Sequence, residues 1–378
     1  MVSRSTHLVR RGAIAAERWW DDRRREKRAE HRPDFLRIIP HHGHAGAGGL
    51  VVRARVLDDS EPPEAVPGEG ALTALRRTAS SFLTDELPDV PLSVTIGAHH
   101  EQIASDAEGY IELRIPWVEE PAPGGWVEAT IELADTYRGV DPPRTATALV
   151  RTPPADARFG VISDIDDTIL HTGVQRTWEM VRLTVTGSEH SRAPFAGAPE
   201  LYRALATGID GTPDRHPFFY VSSSPWNLHG FLWAFLQHHE LPLGPLMLRD
   251  FLGKDPSRGH GDTKHKAIDE ILTSHPELEF VLIGDSGQHD PEIYAEVVRR
   301  HPGRIKAVYI REVRLDPGDG RVEAVADAWN HDIPLLLASD SAAVAYHAQR
   351  AGLLSAEEAM SVVEAVERDL LRRAEGYG

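Results

Sequence analysis

The stretch FGVISDIDDT, residues 159–168, decides the fold of the second half of this 378-residue chain. It joins an uninterrupted apolar run to a cluster of acidic side chains. Further apolar runs follow, with helical patterns between them, at FFYV (218–221), FVLI (280–283), AVYI (307–310) and PLLLA (334–338). Strands without polar and apolar alternation are buried on both faces, which is typical of a parallel sheet covered by helices. We therefore predict an α/β domain over residues 154–378 that ends in C-terminal helices.

Residues 39–153 show a different pattern, in which apolar side chains recur at every second position. Examples are Val52, Ala54 and Val56, and then Leu92, Val94 and Ile96. Short alternating strands with proline- and glycine-rich connections are typical of an antiparallel β-sandwich of immunoglobulin or transthyretin-like shape. One insert with helical spacing, around residues 72–82, interrupts these strands.

Residues 1–38 form a separate segment that is helical in composition and locally basic. Such a helix could contact an anionic membrane surface. Alternatively, it docks on its own domain through Trp19 and Trp20.

The composition excludes several classes of protein. The chain has 41 lysine and arginine residues against 58 aspartate and glutamate residues, a formal net charge of −17, so we expect no nucleic-acid partner. No run approaches the roughly 20 apolar residues of a transmembrane segment, and the N-terminus lacks the apolar region of a signal peptide. We therefore expect a soluble, cytoplasmic protein. The absence of cysteine excludes disulfides and thiolate catalysis.

Side chains suited to catalysis follow three of the predicted strands, and a lysine opens the helix before the third. They are Asp164, Asp166 and Thr168 after FGVI, Ser222 after FFYV, Asp285 and Asp290 after FVLI, and Lys264. Ligands of an open parallel sheet bind at the carboxyl ends of its strands, so we expect these groups at one edge. So many acids need a cation, and oxygen-only ligands favour a hard ion such as Mg²⁺. A carboxylate nucleophile then becomes possible, because the ion screens its repulsion from a phosphoryl group.

The sequence alone does not decide which lysine belongs to the site or what role Asp290 has. Lys266 lies two residues after Lys264 and points elsewhere on a helix, so either could be the lysine of the site. Asp290 precedes a proline, so it is either a metal-site residue or a helix N-cap. Adjacent histidines such as His41 and His42 should face opposite sides of a strand, and none of the 20 histidines has a matched second cluster at zinc-ligand spacing. We predict no zinc site.

The order DxDxT, Ser, Lys and GDxxxxD after successive strands resembles that of the haloacid dehalogenase superfamily of phosphohydrolases. The contexts DIDDTI, YVSSSPWNL, DTKHKAIDEIL and IGDSGQHDPEIY resemble one family in particular. This is the magnesium-dependent phosphatidate phosphatase family first known from a yeast actin-patch protein, which has many bacterial members. The resemblance implies a Rossmann-like phosphatase domain after a β-domain, to which FLTDELPDVPLSVTIG and DAEGYIELRIPW are similar.

Carried over residue by residue, the resemblance implies a role for each member of the site. Asp164 would be the nucleophile that forms an aspartyl-phosphate. Asp166 would protonate the leaving alkoxide and then activate water, with Thr168 orienting it. Ser222 and Lys264 would hold the transferring phosphoryl oxygens. The metal-site residues would be Asp164, Asp166, Asp285 and Asp290.

These roles describe magnesium-dependent phosphomonoester hydrolysis. The substrate that the resemblance implies is phosphatidate, giving diacylglycerol and phosphate, so the partner would be a phospholipid and the protein could lie peripherally on a membrane. Residues 171–194 leave room for only a small cap, and an open site suits such a substrate. One alternative is a phosphatase for soluble phosphoesters or phosphoproteins. Another, from a different class, is a non-catalytic binding protein that uses the β-sandwich.

Overall fold

The structure, a computed structural model, contains two β-sheets, one from strands before residue 152 and one from strands after residue 159. The residues that it describes are 32–58, 85–116, 125–165, 196–249, 260–286, 289–312 and 321–375. Most of the basic N-terminal segment, the helical insert around residues 72–82 and the small cap at 171–194 lie outside the described residues. Asp166 and Thr168 lie outside them as well.

The first eight strands form what we call the N-terminal sheet. They are β1 (Leu36–Gly46), β2 (Gly49–Asp58), β3 (Asp85–Glu86), β4 (Pro91–Ile96), β5 (His99–Ala104), β6 (Tyr110–Ile115), β7 (Trp126–Leu133) and β8 (Thr145–Arg151). Their hydrogen-bonded order is β3-β2-β1-β8-β7-β4-β5, with β6 paired to β2. All pairs are antiparallel except β1 with β8. The predicted alternating strands are confirmed, and β1, β3 and β5 are additional to them.

The predicted β-sandwich is not confirmed. The strands form one sheet in place of two stacked ones, and β5 at one end of the order lies close to β6 at the other. Within the described residues the sheet curls round one apolar core, to which β2 contributes Val52, Ala54 and Val56. Alternation in the sequence reports that one face of a strand is buried. It does not distinguish a sandwich from one sheet that curls on itself.

Strands β9 to β14 form what we call the C-terminal sheet. They are β9 (Gly160–Asp164), β10 (Phe218–Pro225), β11 (Leu246–Arg249), β12 (Phe280–Asp285), β13 (Ile305–Arg311) and β14 (Leu335–Ala338). The order is β11-β10-β9-β12-β13-β14, and every pair is parallel. Counted along the chain, this is the order 3-2-1-4-5-6 of doubly wound sheets. The predicted parallel sheet is confirmed, with β11 as a strand that the sequence pattern did not predict.

Helices cover both faces of the C-terminal sheet. They are α1 (Ala198–Thr207), α2 (His229–His238), α3 (His260–Ser274), α4 (Asp290–Arg300), α5 (Arg321–Asp327), α6 (Ser341–Arg350) and α7 (Ala356–Ala374). A 3₁₀ turn at Trp226–Leu228 precedes α2. On one face α3 and α4 bury Ile268 and Val297, and on the other α1 and α6 bury Leu201 and Val344. None of the helices described is long and apolar enough to span a membrane.

The strand order fixes where a ligand site can form. After β9 the chain adds β10 and β11 on one side, and it later adds β12, β13 and β14 on the other. The connections leaving β9 and β12 therefore diverge, which opens a crevice at the carboxyl ends of these two strands. Asp164 and Asp285 are the last residues of β9 and β12.

The two sheets are joined by partly buried polar contacts. Arg53 of β2 donates to Glu270 of α3 at 2.6 Å, so the side of β2 that faces away from its own core packs on the C-terminal half. His44 of β1 lies 3.4 Å from the Ser274 hydroxyl, and its ring lies 5.9 Å from that of His275. Burial, with a smaller contribution from Arg53, lowers the pKa of His44 to about 3, and burial lowers that of His275 to about 3.

We expect the free energy of unfolding to decrease as the pH falls from 6.5 towards 4. His44 and His275 stay neutral in the folded protein over this range but take up protons in the unfolded chain, where a histidine has a pKa of about 6.5. Each of these two histidines should lower the free energy of unfolding by roughly 1.4 kcal/mol for every unit by which the pH falls. Urea unfolding at pH 7, 6 and 5 measures this dependence. The variant His275→Gln should show a shallower pH dependence, and an unchanged slope would contradict the assignment to His275.

Candidate active site

The carboxyl edge of the C-terminal sheet brings together predicted site residues from neighbouring strands. Asp164 ends β9, and Asp285 ends β12 beside it. Ser222 lies in β10, one residue beyond Val221, which is the register partner of Asp164. All three are inaccessible to solvent. Hydrogen-bonded pairing of parallel strands thus places these groups at one edge, since residues far apart in sequence end their strands at the same level.

Lys264 of α3 reaches this edge and joins two of the acids. Its Nζ lies 2.7 Å from Oδ1 of Asp164 and 2.5 Å from Oδ1 of Asp290. Lys264 shares a helix face with Ile268 and with Ile271, because positions four and seven residues on lie on the same side. That face packs on the sheet, so the lysine is buried, whereas Lys266 is exposed. The structure therefore places Lys264 in the site and Lys266 outside it.

Asp290 supports both the lysine and the strand end. Its Oδ1 contacts Lys264, and its Oδ2 accepts a hydrogen bond of 3.2 Å from the backbone N–H of Asp285. The N-cap of α4 is His289, which makes no side-chain cap bond, and Asp290 is the first residue of the helix. The N-cap alternative for Asp290 is therefore not what the structure shows. The carboxylate is directed at the site and away from its own helix.

Gly284 makes this contact possible. A Cβ atom at this position would lie 2.6 Å from Oδ2 of Asp290 and 2.8 Å from the ring of Tyr294. Any larger residue would push α4 away from β12. In the IGD sequence at 283–285, Ile283 is a buried apolar residue, Gly284 allows α4 to approach β12 closely, and Asp285 is an acid of the site.

Two buried tyrosines, Tyr202 and Tyr294, form hydrogen bonds with residues next to the acids at the ends of β9 and β12. The hydroxyl of Tyr294 donates to the carbonyl of Ile283 at 2.9 Å. Ser163 donates to the carbonyl of Asp164 at 2.7 Å, and its hydroxyl lies 2.7 Å from that of Tyr202. Burial raises the pKa of both tyrosines well above the ordinary value, and nearby acids raise it further, so both hydroxyls keep their protons. They can therefore serve as permanent donors, Tyr294 to the backbone of β12 and Tyr202 to the Ser163 hydroxyl, which in turn donates to the carbonyl of Asp164.

The donor set has the chemistry of a site for a hard cation. Carboxylate oxygens of Asp164, Asp285 and Asp290 all lie within 4.8 Å of one another, and all three residues are buried. Lys264 supplies one positive charge to this group. When all are ionised, negative charge remains in excess, and a divalent ion with oxygen ligands would neutralise it. The residues present therefore fit such an ion.

Ser222 lies near the end of β10, where the register against β11 shifts between Val221 and Pro225. Its hydroxyl forms a side-chain turn with the backbone two residues on, which we call the Ser222 turn. The Oγ of Ser222 accepts a hydrogen bond of 2.9 Å from the backbone N–H of Ser224. The turn leads directly into the 3₁₀ helix that begins at Trp226. The position of the Ser222 hydroxyl thus depends on how this turn is held.

Arg311 is a residue of the same edge that the sequence analysis did not select. It ends β13, its register partner is Asp285, and only 7% of its surface is exposed. Its charge acts on Tyr202, where it opposes the effect of burial on the pKa. The signal was available, because AVYI is followed by Arg311 just as FGVI is followed by acids. Inspection of the residue after every apolar run would have identified it.

Residues 159–312 match the family described as phosphatidate phosphatase APP1, catalytic domain. Phosphatidate phosphatase APP1 of Saccharomyces cerevisiae is 35% identical over 156 residues, which are 40% of this chain and 26% of the yeast protein. An uncharacterized protein of Schizosaccharomyces pombe is 28% identical over 224 residues, 57% of this chain and 35% of that protein. The chain thus spans about a quarter to a third of the length of these relatives. The matched stretch contains Asp164, Lys264 and Asp285.

One solved structure aligns with most of this chain, but at a low level of similarity. A β-glucuronidase of Bifidobacterium dentium aligns with a TM-score of 0.22 and 10% identity, over 80% of this chain and 59% of that one. A TM-score and a sequence identity this low do not indicate a shared fold or function.

The variant Lys264→Met should be strongly destabilised. Removing the ammonium leaves the buried carboxylates of Asp164 and Asp290 without their shared cation, which costs about 3–5 kcal/mol when a buried ion pair is broken. The matched control Lys266→Met lies on the exposed side of the same helix and should change stability by less than about 0.5 kcal/mol. Chemical denaturation of both variants measures the difference. Equal stability would mean that Lys264 does not compensate these acids.

Proposed function

We propose that this chain is a magnesium-dependent phosphomonoesterase, with phosphatidate as substrate and with diacylglycerol and inorganic phosphate as products. The observation that carries the proposal is the buried cluster of Asp164, Lys264, Asp285 and Asp290. It lies inside the stretch that matches a phosphatidate phosphatase catalytic domain. We also assign the C-terminal half to the haloacid dehalogenase superfamily, which its strand order and motif order support.

In this proposal Asp164 is the nucleophile. One carboxylate oxygen attacks phosphorus while the bond from phosphorus to the lipid oxygen breaks, which gives an aspartyl-phosphate and an alkoxide. Asp166 protonates the alkoxide and then takes a proton from the water that hydrolyses the aspartyl-phosphate. Thr168 orients Asp166. The hydrolysis returns Asp164 as a carboxylate and releases inorganic phosphate, so the site is ready for another cycle.

Lys264 has two functions in this scheme. In the free enzyme its ammonium holds Oδ1 of Asp164 at 2.7 Å, which favours the ionised, nucleophilic form of the carboxyl group. During the reaction the same charge is available to the phosphoryl oxygens, together with the hydroxyl of Ser222. Asp290 holds the lysine from the other side at 2.5 Å, so the ammonium stays in place while Asp164 changes its charge.

In this proposal Asp164, Asp166 and Asp285 would hold Mg²⁺. Both oxygens of Asp290 already contact Lys264 or the backbone of Asp285, so we assign Asp290 to orienting the lysine and not to direct ligation. When bound, the ion supplies positive charge that screens the repulsion between the nucleophile and the phosphoryl group.

Phosphatidate lies in a bilayer, so this function requires the protein to act at a membrane surface. The net charge of −17 opposes approach to an anionic membrane. The basic residues of the first 31 positions provide one means of overcoming it. We accordingly propose a cytoplasmic protein that binds membranes peripherally.

The variant Asp164→Asn should abolish phosphatase activity. The amide cannot attack phosphorus, and loss of a catalytic nucleophile lowers turnover by a factor on the order of 10⁴ or more. Release of phosphate from an aryl phosphate in the presence of Mg²⁺ measures it. The control Asp327→Asn makes the same chemical change at the exposed end of α5 and should keep full activity. Activity that survives in Asp164→Asn would refute the nucleophile.

The substrate is tested by comparing the hydrolysis of phosphatidate with that of several classes of soluble phosphoester. Phosphatidate in mixed micelles should be hydrolysed with a kcat/KM at least about tenfold above that of soluble sugar phosphates, nucleotides and phosphopeptides, because remote binding energy adds to phosphate recognition. Chelation of Mg²⁺ should remove the activity, and added Mg²⁺ should restore it. A soluble phosphoester that exceeds phosphatidate would replace the lipid as substrate while leaving the chemistry intact.

A further inference from the structure

A contact between the two sheets lies next to the Ser222 turn. Trp226 begins the 3₁₀ helix that follows this turn, four residues after Ser222. The ring of His41, from β1 of the N-terminal sheet, stacks on it with centroids 4.4 Å apart and planes inclined by 13°. His41 is 2% exposed. The N-terminal sheet therefore contacts the catalytic half at a segment that carries a predicted phosphate-binding residue.

His229 of α2 extends this contact. Its ring lies 4.9 Å from that of His41 and 5.2 Å from that of His42. Its Nε2 accepts a hydrogen bond of 3.2 Å from the backbone N–H of His42, and Nδ1 of His42 accepts one of 3.1 Å from the backbone N–H of Leu149. A ring nitrogen that accepts an N–H bond carries no proton, so these bonds select the neutral form of both rings. The contact is thus a set of oriented, uncharged aromatic groups.

An irregularity in β1 makes this arrangement possible. The register of β1 against β2 shifts between His41 and His44, which marks a bulge. In a regular strand His41 and His42 would face opposite sides, as the sequence analysis expected, yet both rings lie beside His229. Bulges re-aim side chains in this way. The sheet therefore presents two consecutive residues to α2 and to the 3₁₀ helix before it.

The surroundings of His41 keep its ring neutral. Arg53 and Arg55 of β2 face it together with His42, and Tyr110 of β6 lies 6.3 Å away. Arg55 is itself paired with Glu86. Burial, and then the charges of these neighbours, lower the pKa of His41 to about 3. Its ring is therefore an uncharged plane against Trp226 at neutral pH.

We propose, on the basis of the phosphatase function above, that His41 is a positioning residue: its stack on Trp226 fixes the turn that presents the Ser222 hydroxyl to the substrate phosphate. The bond from Ser224 N–H to Ser222 Oγ makes the turn one unit, so a displacement at Trp226 moves the hydroxyl. The N-terminal sheet is then part of the scaffold of the active site. Its role goes beyond recognition of a separate partner.

Two substitutions at position 41 and one control test this role. His41→Ala removes the stacking plane, and His41→Phe keeps an uncharged ring. The control His44→Ala removes another buried histidine from the same strand and the same interface. Its ring lies near Ser274, His275 and Phe219, which precedes Ser222 by three residues in β10, whereas the ring of His41 stacks on Trp226 beyond Ser222. Any general effect of loosening the interface is shared by His41→Ala and His44→Ala.

We expect His41→Ala to lower kcat/KM for an aryl phosphate at least about tenfold, since a small misplacement of a catalytic group is costly. His41→Phe should stay within about threefold of the unsubstituted protein, and His44→Ala should lose stability without this catalytic loss. Hydrogen–deuterium exchange should rise at residues 222–228 in His41→Ala and not in His44→Ala. Equal catalytic loss in the two alanine variants, or unchanged exchange at 222–228, would overturn the proposal.

The exchange measurement separates this inference from the proposed function. If the unsubstituted protein hydrolyses no phosphoester, the proposed function is refuted. The proposed effect of the His41–Trp226 stack on catalysis is then refuted as well. Even then, the exchange comparison shows whether His41 holds residues 222–228. Activity with no change in exchange would leave the phosphatase intact and refute the positioning role.

Discussion

The ammonium of Lys264, buried between the carboxylates of Asp164 and Asp290, is the interaction on which the site depends. Transfer of each charge from water costs several kcal/mol, and attraction offsets this only when the partners are held closely. The three residues come from β9, α3 and α4, so one cation fixes the relative position of three elements. A core of apolar side chains alone would not set these positions so closely, because apolar contact has no preferred direction.

Most of the C-terminal fold could be predicted because a buried parallel strand has a simple signature. Apolar runs such as FGVI and FVLI are too short for helices and lack alternation, so they fit one type of strand. The rule that ligands bind at carboxyl ends then selected Asp164, Ser222 and Asp285 without any knowledge of the fold's details. The sequence also contains a signal that favours Lys264 over Lys266, since Lys264 shares a helical face with the buried Ile268 and Ile271.

Other features depended on contacts that no local pattern reports. The N-terminal strands alternate correctly, yet alternation carries no information on how strand ends meet, and the sheet is one near-closed surface. Asp290 before a proline looks like a cap, and only the approach of α4 to β12 at Gly284 directs its carboxylate to Lys264. The bulge in β1 includes Gly43, and a glycine within a strand often marks a bulge, but it does not report which way the neighbouring rings turn. Regular alternation therefore gave the wrong expectation for His41 and His42.

The proline-rich linker at residues 152–154 marks a change in the type of sheet and does not mark independence of the two halves. In an exposed sheet the polar side of β2 would face water, but Arg53 is largely covered here and pairs with Glu270 of α3. The ring of Trp233 in α2 lies 3.7 Å from that of His42, so an aromatic surface of the catalytic half is covered by β1. A catalytic half without this cover would expose these rings and leave Glu270 without Arg53. The two sheets are therefore better regarded as one cooperative structure.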